Sequence, residues 1–123
     1  MTINKELVVG LVGVCASGKT TLGAKLRARG YKIKHIAQEH SFVKDMWKKI
    51  GKPDLLIFLD ASYETSMQRR RLDWTPADYN EQQRRLEHAR EHADLHIQTD
   101  RLSAEEVEAQ VLKFLKKVGN ETG

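Results

Sequence analysis

The sequence predicts an α/β protein: a parallel sheet of about four to five strands with helices on both faces, a three-layer sandwich. Three observations predict it. Leu7 to Val12 and Leu55 to Leu59 are apolar runs rather than alternating ones, as expected of strands buried on both faces of a parallel sheet. Helical patterns fall between the strand-like segments. The first run passes directly into Gly13-Val14-Cys15-Ala16-Ser17-Gly18-Lys19-Thr20, a glycine-bounded turn that opens a helix.

Each element follows from local chemistry. After the strand at 7–12 and the turn, Leu22 and Leu26 lie four apart on one face of a helix from Thr20 to Arg29, which Gly30 ends. Ile33 and Ile36 mark a strand at 32–37, the weakest of the four patterns. Gln38-Glu39-His40-Ser41 forms a turn, with Ser41 placed to cap a helix in which Phe42, Val43, Met46, Trp47 and Ile50 recur at helical spacing. Gly51 and Pro53 stop that helix. A third strand, 54–60, ends in Asp60, and Ser62 caps a helix through Arg71.

Thr75 and Pro76 then start a helix that runs to His92. It is polar nearly all round, with Tyr79, Leu86 and Ala89 as its only core candidates, so it is expected to lie loosely on the surface. A half-buried edge strand at 94–99 places Leu95 and Ile97 inward. Ser103 and Glu106 make a capping box, flanked by Leu102 and Val107 as a staple, for an amphipathic helix that Gly119 ends.

The chain of 123 residues, 40% of them hydrophobic, is one domain large enough to bury a core without disulfide or structural metal. Met1 to Ala16 could pass for a short secretory signal, but two glycines interrupt its apolar stretch and Glu6 stands directly before it. No apolar run approaches the length of about 20 residues that spans a membrane. A single cysteine, Cys15, fits a reducing compartment, and a cytoplasmic protein is expected. The net charge of +4 suits an anionic ligand, yet it is too modest and too interspersed with acids to indicate nucleic acid. The sequence leaves a homodimer open.

Gly13 to Thr20 reads G-x-x-x-x-G-K-T, the Walker A phosphate-binding loop. Its glycines let successive backbone N–H groups face inward at a helix N-terminus, so Gly13, Val14, Cys15, Ala16, Ser17, Gly18, Lys19, Thr20 and Thr21 are the candidate nucleotide-binding residues. Lys19 reaches the outer phosphates, and the Thr20 hydroxyl is a ligand for Mg²⁺. Glu39 and Asp60 compete for a second acidic role. Glu39, after the second strand, is placed to accept a substrate proton or hold a metal-bound water, while Asp60 has the position of a Walker B aspartate serving Mg²⁺. Arg69, Arg70 and Arg71 are candidates to neutralise phosphoryl charge. His88-Ala89-Arg90-Glu91-His92 spells an inverted zinc-peptidase pattern, but a charged surface helix offers no dry site and no third ligand is evident.

With the Walker loop, the strand Pro53 to Asp60 followed by Met67 to Arg71, and the ending from Ala93 to Asp100 before a capped helix, the chain resembles P-loop NTPases of the small-molecule and nucleoside-monophosphate kinase type. The resemblance implies ATP with Mg²⁺, a small-molecule acceptor as partner, and residues 69–92 as a lid carrying a phosphate-facing arginine. It places adenine around Thr99 to Leu102. Members are usually longer, with five strands and a helical insertion that holds the acceptor. The alternative expectation is therefore a slowly hydrolysing or non-catalytic nucleotide-binding module read by a partner protein. The absence of an N-K-x-D sequence points to ATP over GTP.

Overall fold

A computed structural model describes residues 7–14, 17–70 and 75–122. Four strands, β1 (Val8–Gly13), β2 (Lys32–His35), β3 (Leu55–Asp60) and β4 (Leu95–Gln98), form one sheet in the order β2-β1-β3-β4. Every pairing is parallel, with Val9 beside Ile33, Leu11 beside Ile57 and Leu59 beside Ile97. The α/β class and the four expected strands are therefore present, each within about two residues of its expected bounds. No fifth strand occurs among the described residues.

Alternate strand residues feed two separate apolar clusters, as the two-residue repeat of a strand requires. One gathers Val9, Leu11, Ile57 and Leu59 with Leu22 and Leu26 of helix α1 (Lys19–Ala28) and Val107, Val111 and Leu115 of helix α4 (Ala104–Thr122). The other gathers Val12, Leu56 and Phe58 with Ile36, Trp47, and Leu86 and Ala89 of helix α3 (Pro76–His92). Helix α2 (Tyr63–Arg70) follows β3, and the Ser62 hydroxyl accepts from Thr65 N at its start.

Helix ends follow the sequence signals closely. The N–H groups of Gly30 and Tyr31 donate to Arg27 and Leu26 carbonyls, closing α1 with a Schellman motif. Thr75 and Asp78 exchange side-chain and backbone hydrogen bonds at the start of α3, and Ser103 and Glu106 do the same before α4. Helix α4 runs on to Thr122 instead of stopping at Gly119.

Two expectations are corrected. Residues 42–50 do not form an amphipathic helix: the segment bends through Phe42 to Asp45 and closes in a short π-helical turn, Trp47–Gly51. The Gln38 side chain takes the backbone partners that a helix would have used, accepting from Trp47 N at 2.8 Å and donating to Val43 O at 2.7 Å. Ser41 caps only a local turn, accepting from Val43 N. Helix α3, second, is not merely laid on the surface. Leu86 and Ala89 are fully buried, and Gln82 is buried beside them.

Candidate functional site

β1 delivers the chain to the carboxyl edge of the sheet at Gly13, and α1 leaves from Gly18. A side chain cannot replace the hydrogen of Gly13, because a Cβ there would lie 1.9 Å from the carbonyl oxygen of Leu59 on β3. Gly18 has φ of 99°, a left-handed conformation that glycine adopts without strain. Ser17 N donates to Val14 O, and Leu22 N to Gly18 O, so the loop closes tightly onto the helix. No side chain caps α1, and its first turn contains no acid. Its leading N–H groups are therefore left for another acceptor.

Lys19 turns back over this loop. Its Nζ donates to Gly13 O and forms an ion pair with Glu39 Oε2 at 2.5 Å, both side chains being buried. Glu39 sits in a 3-10 turn, Gln38–His40, after β2, and the buried Gln38 amide fastens that turn to Val43, Trp47 and the Arg85 carbonyl of α3. Two buried polar atoms here have no hydrogen-bond partner: Ser17 Oγ and Glu39 Oε1. His35, at the end of β2, has its pKa lowered, first by burial and then by the Lys19 charge. His40 Nε2 lies 3.9 Å from Glu39 Oε2.

A cleft of about 210 Å³ opens beside the loop, lined by Ser17, Gly18, Thr21, Arg69, Thr99 and Leu102 among others. Arg69 from α2 reaches across it, donating to Thr99 Oγ1 at 3.0 Å and to Thr99 O at 2.6 Å. Among the described residues, Arg69 of the three consecutive arginines lines the cleft. Arg71 and the side chain of Arg70 lie outside the described residues, as do Cys15 and Ala16.

Asp60 is engaged elsewhere. It accepts from Ala61 N and Gln83 Nε2 and pairs with Arg90 and with His96, each at 3.4 Å. The guanidinium of Arg90 also lies over the Phe58 ring. Tyr79 completes this polar group by donating to Ala61 O, and its pKa is raised by burial and then by the Asp60 charge. The structure thus brings Lys19 to Glu39 and places Asp60 against α3. Thr20 and Thr21 are exposed at the start of α1.

Among the described residues no cluster of three His, Cys, Asp or Glu side chains has metal-binding geometry. In the His88–His92 pair, His88 is engaged by Trp47. Trp47 Nε1–H donates to His88 Nδ1 at 3.0 Å, and because tryptophan is a donor only, that nitrogen must present its lone pair. The proton of neutral His88 is then on Nε2, the nitrogen a metal would need. The two imidazoles stack at 4.3 Å and brace Trp47.

Sequence reasoning missed Gln38, Gln83, Arg85 and Arg90, the groups that orient Glu39 and Asp60. Each stands in a polar stretch with no periodic signal to separate it from a solvated residue. No family model matches the chain, and no match was found among curated proteins. No helix among the described residues is long and apolar enough to cross a membrane.

Proposed function

We propose that this chain binds Mg-ATP at the Gly13–Thr20 loop and transfers the γ-phosphoryl group to a small-molecule acceptor, in a P-loop fold with helices on both faces of the sheet. The observation that carries the reading is the buried Lys19–Glu39 pair at the mouth of an uncapped helix N-terminus. A cation and an acid are held together where a terminal phosphate and an acceptor hydroxyl would meet. The residues fit a phosphate group: Ser17 Oγ is buried and unpartnered, and at Gly18 a Cβ would meet nothing within 4 Å, so the backbone there is open to an anion.

Lys19 binds the transferred group, and Arg69 closes the cleft above it. Glu39 accepts the acceptor's proton, using the oxygen that has no partner in the protein. Mg²⁺ would be held by Thr20 and by a carboxylate, and it would neutralise charge between the outer phosphates. The oxygens of Asp60, the candidate for that carboxylate, are engaged by Arg90, His96, Gln83 and Ala61 N, so Mg²⁺ would have to displace one of these contacts. One feature favours the second reading, a nucleotide-binding module read by a partner. Only short turns join β2 to β3, where kinases of this type hold their acceptor in a helical insertion.

Titration calorimetry with ATP, with and without Mg²⁺, tests the site. The double variant Lys19→Ala/Glu39→Gln removes both charges together, so neither is left buried alone. It should lose a charge-assisted contact of about 1.5 to 3 kcal/mol, roughly a 10- to 150-fold weakening. Equal affinities for variant and parent would remove the site. Glu39→Gln alone should keep ATP affinity within a few fold and abolish ADP formation with small hydroxyl acceptors. A parent protein that binds ATP yet forms no ADP across such a panel is the binding module.

A further inference from the structure

The charge of this protein is concentrated in one stretch. Residues 32–52 contain Lys32, Lys34, Lys44, Lys48, Lys49 and Lys52 against only Glu39 and Asp45, which by itself equals the formal net charge of +4 of the whole chain. Both acids are already paired, Glu39 with Lys19 and Asp45 with Lys49. The large hydrophobic side chains most exposed among the described residues belong to the same stretch: Phe42 at 86%, Ile50 at 72% and Val43 at 51%. They are the residues that an amphipathic helix would have turned inward. Here the bend at 42–45 and the π-helical turn leave them exposed, with the Arg85 guanidinium 4.2 Å over the Phe42 ring.

Beside them lies a cleft of about 610 Å³ along β2, one of the two outer strands of the sheet. Its walls include Ile33, Ile36, Met46 and Ile50, with Arg27 and Lys34 at its rim. Arg27 and Lys34 are fixed in place by donating to the carbonyls of Ile33 and Gly51. An apolar recess with a rigid basic rim is thus continuous with an exposed apolar and basic turn.

We propose that this surface docks an acidic amphipathic segment of a partner protein, its apolar side chains entering the recess and its carboxylates facing the lysines. Charge complementarity selects the sign of the partner. Shape selects its class: a bilayer is flat on this scale and leaves a recess of about 610 Å³ unfilled, whereas side chains of a peptide occupy it. A second copy is disfavoured, because a two-fold contact through the same patch would set lysines against lysines. Extension of the sheet along β2 is opposed by Lys32 and Lys34, which blunt that edge. The surface does not depend on the nucleotide reading.

The probe is a fluorescein-labelled helical peptide of about 15 residues with leucines on one face and glutamates on the other, followed by anisotropy. It should bind at least 10-fold more tightly than the same peptide with lysine for every glutamate, and more weakly as salt is raised. Ile50→Ser and, separately, Lys44→Glu/Lys48→Glu should each weaken it 10-fold or more while far-ultraviolet dichroism and melting stay unchanged, since Ile50, Lys44 and Lys48 are exposed. Failure of the acidic peptide to bind, or binding that ignores both variants, overturns the proposal. Sedimentation with vesicles of phosphatidylcholine and phosphatidylserine in place of peptide binding would assign the patch to a membrane. Self-association that Ile50→Ser abolishes would assign it to a second copy.

Discussion

Lys19 and Glu39 stand twenty residues apart in the chain and share one buried contact. Taking two charges out of water is costly, and the pair is tolerable because each charge answers the other. The consequence for stability is asymmetric. Lys19→Ala leaves the Glu39 carboxylate buried without its counter-charge and should destabilise the protein by about 3 to 5 kcal/mol in urea unfolding. Adding Glu39→Gln to that variant should restore much of the loss, since an amide is far less costly to bury than a carboxylate. If the single and double variants unfold at the same urea concentration, the two side chains are not coupled in the folded state. The loop itself was legible because glycine spacing and a lysine are local signals. The partner of Lys19 was not, since Glu39 was one of two acids at strand ends and only the three-dimensional path of 38–47 separates their surroundings.

At the scale of elements, periodicity served where apolar faces meet the sheet and failed where a side chain replaces backbone hydrogen bonds. β1 and β3 were readable from their apolar runs, α3 and α4 from their capping boxes. The segment 42–50 has the same helical periodicity, yet Phe42, Val43 and Ile50 point outward and Trp47 alone of that set is deeply buried. Gln38 explains the difference. Its one amide serves Val43 O, Arg85 O and Trp47 N, joining the turn after β2 to α3. Gln38→Leu fills similar space and strands those groups, each costing about 1 to 3 kcal/mol if it stays buried. We expect a net loss of about 2 to 4 kcal/mol by chemical denaturation, together with faster hydrogen exchange at Trp47 N. A silent Gln38→Leu would mean that Trp47 and its contact with His88 hold the turn by themselves.

For the whole molecule, the question is how a protein with two small cores on one four-stranded sheet could respond to a nucleotide. Arg69 already bridges the cleft to Thr99, so on the ATP reading it needs no large movement to meet a phosphate. Helix α3 is held at Leu86 and Ala89 in the second core, while its first turn, Pro76 to Asp78, is exposed. Closure over ATP should therefore be confined to the end of α2 and the start of α3, with the buried half of α3 acting as the fixed side of a hinge. Saturating Mg-ATP should slow hydrogen exchange in peptides carrying Arg69 and Thr75, and leave peptides around Leu86 unchanged because packing already protects them. Arg69→Ala should weaken ATP about 10-fold or more relative to AMP, since the outer phosphates are what distinguish the two ligands. Slowing that extends evenly to His92 would show the whole helix moving as one body. Unchanged exchange at saturating ATP, with an unaltered ATP-to-AMP ratio in Arg69→Ala, would reduce Arg69 to a clamp between α2 and β4 and leave the loop without a closing element.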